Sequence, residues 1–261
     1  AAGPALSALM VPTLGLSAPF LTISALSMCC LPVVLRVPIL ESTQTEGPHA
    51  RYAFDLLRNR AMVAALLMGS CLFLMIGTFD SLWAVVLDDL DASEVTANMG
   101  ITIFALPLIL LGAYGGRLAQ RVGPFRLGPL GLLLGAGFVL LYGFMPTGLT
   151  MLAVGVLNAT SDGLTASSTA VAVGLVAPSE RQAGAQGMLG AAETLTGGVT
   201  AVLAGVLYSA GGRVLAFSMT SALMAIMACS AYVLAGPEYR TRRGPERELS
   251  PEPVSAVTGH A

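Results

Sequence analysis

The chain has 261 residues, of which 55% are hydrophobic and only 11% charged, with a mean hydropathy of +0.77 and a net charge of -2. That leaves too few charged residues to coat a soluble domain of this size. All 13 basic residues are arginine, and they form no broad cationic surface that nucleic acid could neutralise.

A helix needs roughly 20 mostly apolar residues to cross about 30 Å of hydrocarbon. The stretch up to about Met10 is too short and reads as the tail of a helix; since the chain starts at Ala1 with no basic segment before it, the sequence reads as the later part of a longer protein. A short apolar run follows from Pro19 to Val34, flanked by Arg36. Residues 37–60 form a polar loop containing Glu41, Glu46 and Asp55 among Ser, Thr, Gly and Pro. Predicted spans then run Ala61 to Val86, Val95 to Tyr114, Leu127 to Met145, Leu149 to Val176, Gly184 to Ser209 and Val214 to Leu234. The expected fold is all-α, a polytopic transmembrane bundle, divided into residues 1–36, the loop 37–60, a six-helix unit 61–236 and a disordered tail 237–261 rich in charge and Pro.

Arginine placement supports this segmentation, because basic residues in short loops stay on the cytoplasmic side. Arg36, Arg51, Arg58 and Arg60 precede the six-helix unit, Arg117, Arg121 and Arg126 come two spans later, Arg181 two after that, and Arg240, Arg242, Arg243 and Arg247 occupy the tail. The opposite loops carry only Arg213, and the one after Val86 is acidic, with Asp88, Asp89, Asp91 and Glu94. An error of one span would destroy the alternation.

Enzyme chemistry lacks its parts. Cys29, Cys30, Cys71 and Cys229 all sit in apolar runs, where Cys behaves as a small hydrophobe, and His49 and His260 lie in polar segments with no metal-ligand spacing and no nucleophile–base set. No cofactor is implied.

The more informative residues are ionisable ones inside the spans, since a charge there costs about 3 kcal/mol unless it meets a partner or water. Asp80, Asp162 and Glu193 qualify. Asn158, Thr165 and Thr169 recur at helical spacing around Asp162, and Thr194, Thr196 and Thr200 follow Glu193, so each helix has a partly polar face suited to a water-filled passage. The alternative for Glu193 and Asp162 is a protonated, hydrogen-bonded acid between helices; Asp80, nearer the acidic loop, would simply be hydrated. Trp83 and Tyr142 are expected as anchors at the headgroup level. Glycines such as Gly131, Gly135, Gly197 and Gly198 mark close helix contacts.

Between the second and third predicted spans of the six-helix unit stands Gly116-Arg117-Leu118-Ala119-Gln120-Arg121-Val122-Gly123, with Arg126 just beyond. With the long loop and six spans, this resembles the second half of a major facilitator superfamily transporter, where a short basic loop follows the second helix of each half. Gly116, Arg121, Gly123 and Arg126 match the family's pattern, and Gln120 stands where an Asp is usual. Gly3-Pro4 is similar to the end of the Gly-Pro motif on the fifth helix of proton-coupled antiporters. The resemblance implies that residues 1–36 are the end of the amino-terminal half, that the missing half is a necessary partner, and that the protein is a multi-pass inner (plasma) membrane exporter of drug-like or hydrophobic compounds, coupled to protons. A carboxylate buried in a span suits such coupling, because protonation removes the charge that a closed state cannot solvate, and Glu193 comes first and Asp162 second for that role. An importer of sugars or metabolites, and a non-transporting membrane protein of the same fold, are the other readings.

Overall fold

The computed structural model describes residues 17–36 and 53–241, together with residues 10, 14 and 15. The Gly3-Pro4 pair, most of the loop 37–60 and the tail beyond Thr241 lie outside the described residues. Every regular element among the described residues is helical: α1 (Ala18–Leu35), a 3-10 turn (Ala53–Arg58), α2 (Arg60–Asp89), α3 (Glu94–Val122), α4 (Pro124–Tyr142), α5 (Gly148–Thr165), α6 (Ser167–Val176), a second 3-10 turn (Ser179–Arg181) and α7 (Gln182–Thr241). By length and composition, Arg60–Asp89, Thr102–Val122, Pro124–Tyr142 and Ser179–Thr241 are each able to cross a membrane.

α7 contains two crossings. Gly211 (φ -154°, ψ 21°) and Gly212 (φ 66°, ψ -167°) leave helical geometry, the latter in a region that side chains with a β-carbon rarely enter, and this separates a first limb, 182–210, from a second, 213–235. The predicted spans from Gly184 and from Val214 are these limbs. Gly236 (φ 72°) breaks the helix again, and residues 237–241 resume it.

Two expectations are corrected. The basic stretch from Gly116 is not a loop: α3 continues to Val122, because Leu118, Ala119, Gln120 and Arg121 are good helix formers and no glycine or proline stands between Gly116 and Gly123. Gly123 (φ 104°, ψ 125°) alone makes the turn, and Pro124 starts α4 with its ring already suited to a first helical position. The predicted single span Leu149 to Val176 is divided at Ala166 into α5 and α6. Here polar side chains compete for the backbone: Thr165 Oγ1 donates to Ser161 O (2.9 Å), Thr169 Oγ1 to Ala166 O (3.0 Å), and Ser167 Oγ reaches across to Gly112 O of α3 (3.1 Å).

The ends of the helices confirm that the chain runs alternately up and down. At one end Arg181 pairs with Asp55, and Phe125 meets Tyr239 edge-on at 6.0 Å. At the other the Tyr208 hydroxyl donates to Asp89, Gly148 sits against Ala92, and Gly143 approaches Val214. The first end collects Arg58, Arg126, Arg181 and Arg240, as the arginine pattern requires.

α2 is the centre of the bundle. It is buried from Ala61 to Leu87 along one side and packs against both limbs of α7. Thr78 and Thr220 hydroxyls meet at 3.2 Å and Cys71 Sγ lies 3.5 Å from Met224 O, tying α2 to the second limb, while Ser221 Oγ donates to Ala136 O (2.7 Å) to bind that limb to α4. The first limb approaches by glycine: a β-carbon on Gly77 would collide with the Gly197 carbonyl group and come within 3.1 Å of Gly197 Cα. α3 meets α5 the same way, with the Gly163 and Leu164 carbonyl oxygens each 2.6 Å from where a Gly115 β-carbon would stand. α1, by contrast, is exposed from Phe20 to Pro32.

The contact at Gly77 is with backbone, which cannot turn aside. Gly77→Ala should therefore destabilise the bundle by about 1–3 kcal/mol, whereas Gly137→Ala, in open space within α4, should be neutral or slightly stabilising. Thermal unfolding of the two variants in detergent checks this; equal midpoints would remove the close approach as a determinant.

Candidate functional site

α2, α3, α4 and α5 line a half-open cavity of about 250 Å³. α5 presents Asn158 and Asp162 to it on successive turns, α2 contributes Met75, Phe79 and Asp80, α3 contributes Phe104, and α4 contributes Tyr142. Asp162 is 8% exposed and Asn158 6%. No hydrogen bond or ion pair to the Asp162 carboxyl is present among the described residues. Asn158 Nδ2 lies 3.5 Å from the Met75 sulfur, a weak acceptor, and its Oδ1 has no partner. A buried acid and a buried amide oxygen, both short of partners, are groups whose hydrogen bonds a guest or water would complete.

The remaining wall is aromatic. Phe79 stacks on Trp83 (4.8 Å between centroids) and meets Phe104 (5.4 Å) and Tyr142 (5.7 Å), and Tyr142 continues to Phe217 (5.7 Å). Gly155 admits the Phe104 ring, which occupies the place a β-carbon would take. Trp83 and Tyr142 are 2% and 1% exposed, so the expectation that they anchor the chain at the headgroups is overturned: their rings are in the interior, where offset and edge-on aromatic contacts hold the cavity's shape. Sequence reasoning missed this cluster. Its signal was the Phe79–Trp83 spacing of four around Asp80, which puts both rings on one helical face.

Of the candidate residues, the structure brings Asp80, Asn158 and Asp162 together and places the others elsewhere. Thr165 is turned toward α4, with its side chain filling the notch left by Gly131. Glu193, half-buried on the first limb of α7, lies over α2: its Oε1 is 2.7 Å from where a Gly69 β-carbon would be, beside Leu189. It does not line this cavity. Thr194, Thr196 and Thr200 each donate to the carbonyl one turn back (2.7–2.8 Å), so their hydroxyls are spent on their own helix.

At the arginine-rich end, Gly116 has room around it, Arg117 and Arg121 are exposed on the last turns of α3 and form no ion pair among the described residues, Gly123 makes the turn, and Arg126 is exposed in the first turn of α4. A second feature missed in the sequence is Arg181, which grips Asp55 with both terminal nitrogens (Nη1–Oδ2 3.0 Å, Nη2–Oδ1 2.7 Å). This fork joins the turn before α2 to the turn before α7. The Arg181 hydrogen bonds hold the Asp55 carboxyl below its ordinary value.

Apolar helices running alternately up and down, several of them long enough to cross a membrane, make this a multi-pass membrane protein. The chain belongs to the Major Facilitator Superfamily, whose family model matches residues 65–260. It is accordingly a secondary transporter, embedded in a membrane and acting on a small molecule. No curated protein matches the chain significantly.

Because the Asp55 carboxyl is held low in the folded protein, its pairing stabilises fully above the value of the unfolded group, about 4, and is lost as pH falls through the depressed one. The difference in unfolding midpoint between wild type and Asp55→Asn should thus be largest near pH 6 and close toward pH 3. A difference that persists unchanged at pH 3 would assign the effect to something other than the ion pair.

Proposed function

We propose that this chain supplies one six-helix half, residues 61–236, of a proton-coupled exporter of hydrophobic or cationic drug-like compounds in the plasma membrane, with Asp162 as the coupling acid. Residues 1–36 are the end of the other half, and substrate binds where the halves meet and is exposed to each side in turn.

The observation that carries this reading is the partnerless Asp162 carboxyl on the wall of a half-open cavity. A charge in that position is tolerable while water reaches it and costly once the cavity closes. Protonation removes the charge, and a bound cation neutralises it, so proton and cationic substrate compete for one carboxyl and are carried in opposite directions. Asp80, exposed at another part of the same wall, offers a second negative charge along the route. Phe79, Phe104 and Tyr142 suit an apolar or aromatic body and the face of an organic cation. The direction, export, is supported by the likeness of Gly3-Pro4 to the antiporter motif. Glu193, the first choice from sequence, takes second place here because its side chain lies over Gly69 at the contact between α2 and the first limb and not on the cavity wall.

Transport by the full-length protein in vesicles with an imposed pH gradient tests the assignment. Asp162→Asn should reduce proton-driven movement of a cationic dye to background, while Glu193→Gln should retain most of it. The reverse pattern would transfer the coupling role to Glu193, and proton-driven transport untouched by either change would refute the mechanism.

A further inference from the structure

We propose that the groove between α4 and the second limb of α7, at the arginine-rich end, binds an anionic phospholipid, with Arg126 and Arg240 holding the phosphate and one acyl chain lying along Leu130, Leu133, Cys229 and Val233. This groove is separate from the cavity around Asp162 and has a volume of about 510 Å³. It rests on the membrane embedding of the bundle, not on the identity of the transported compound.

The arginines are set up for the task by the end of α7. Pro237 has no N–H to offer Val233 O, and Gly236 (φ 72°) leaves the helical path. Arg240 folds back to cover the freed carbonyls: Nε donates to Tyr232 O (2.8 Å) and Nη2 to Val233 O (3.3 Å). Its guanidinium carbon stands 4.0 Å above the Tyr232 ring, which itself lines the groove. The cation is thereby fixed over one of the groove's lining side chains, with N–H groups to spare. Arg126 lines the same groove from α4, is exposed, and forms no ion pair among the described residues, nor does Glu238 pair with either arginine.

Below these cations the lining is apolar, and Arg126 to Leu133 is seven residues of helix, roughly 10 Å into the span at 1.5 Å per residue. Two cations at headgroup depth above an apolar cleft match a lipid phosphate and its chain, whereas a free phosphate would use the first part and leave the second without a role. Arginine-rich ends face the cytoplasmic leaflet, where anionic lipids concentrate.

Cys229 lies in the groove and is exposed, so it reports occupancy directly. In full-length protein in neutral detergent, the rate of its alkylation by N-ethylmaleimide is followed by peptide mass spectrometry during titration with dioleoylphosphatidylglycerol, dioleoylphosphatidylcholine or inorganic phosphate. Phosphatidylglycerol should slow labelling severalfold at concentrations where the other two do nothing. Arg126→Gln should raise the half-protecting concentration about fivefold, the factor expected of one arginine near a membrane surface, and Arg126→Lys should restore most of it. Equal protection by phosphatidylcholine would mean an ordinary lipid coat, protection by phosphate alone a free-anion site, and an unchanged Arg126→Gln titration a site that ignores charge; each overturns the proposal. Should the Arg126 variants not fold, the comparison of the three additives on wild type still decides it.

Discussion

Hydrocarbon solvates apolar side chains as well as a protein interior does, so these helices are held by backbone proximity and not by a drive to hide from solvent. The contact of Gly77 with Gly197 does this most directly, and the seating of Glu193 and Leu189 over Gly69 extends it along the same pair of helices. α3 and α5 use Gly115 and Gly163 in the same way. Once backbones touch, short hydroxyls can bridge helices, as Thr78 does to Thr220 and Ser221 to α4. The same medium also forbids idle polar groups, and most serines and threonines in the spans donate to a carbonyl of their own helix.

Against that background the exceptions are concentrated. Among the described residues Asn158 Oδ1 and Ser168 Oγ are buried without partners, the Asp162 carboxyl forms no hydrogen bond or ion pair, and all three lie on the stretch from α5 into α6. α5 also gives way to α6 there, at Ala166, beside which the Ser167 hydroxyl donates to Gly112 O of α3. Unsatisfied side chains and a broken helix in one place are costs that packing alone does not explain. The arginine-rich end has the opposite character: Asp55 with Arg181, and Arg240 over Tyr232, fasten turns and helix ends to one another.

Much of this was legible in the sequence because the membrane constrains it so strongly. Span positions, the up-and-down course and the arginine-rich end all follow from apolar run length and charge, and Asn158 and Asp162 share a face because they are four residues apart. Thr165 follows the same spacing, yet its side chain fills the notch at Gly131 of α4 and not the cavity, a placement decided by the neighbouring helix. Helix propensity, more than polarity, governed the basic stretch after Gly116, so α3 outlasts the apolar run by two turns. Trp83 and Tyr142 were judged by what such rings prefer at a bilayer surface, but their positions are fixed by neighbours on three other helices, and no periodicity within one span records that. Nor does anything within α7 announce that Glu193 faces a glycine of α2.

Trp83 is the sole indole in these 261 residues, and it is sealed between Phe79 and Phe104, both of which form the cavity wall. Indole emission from this chain, excited selectively over tyrosine, therefore originates beside the compartment that holds Asp162. Quenching or a change of colour on adding a compound is an optical record of events inside that compartment, with no label attached.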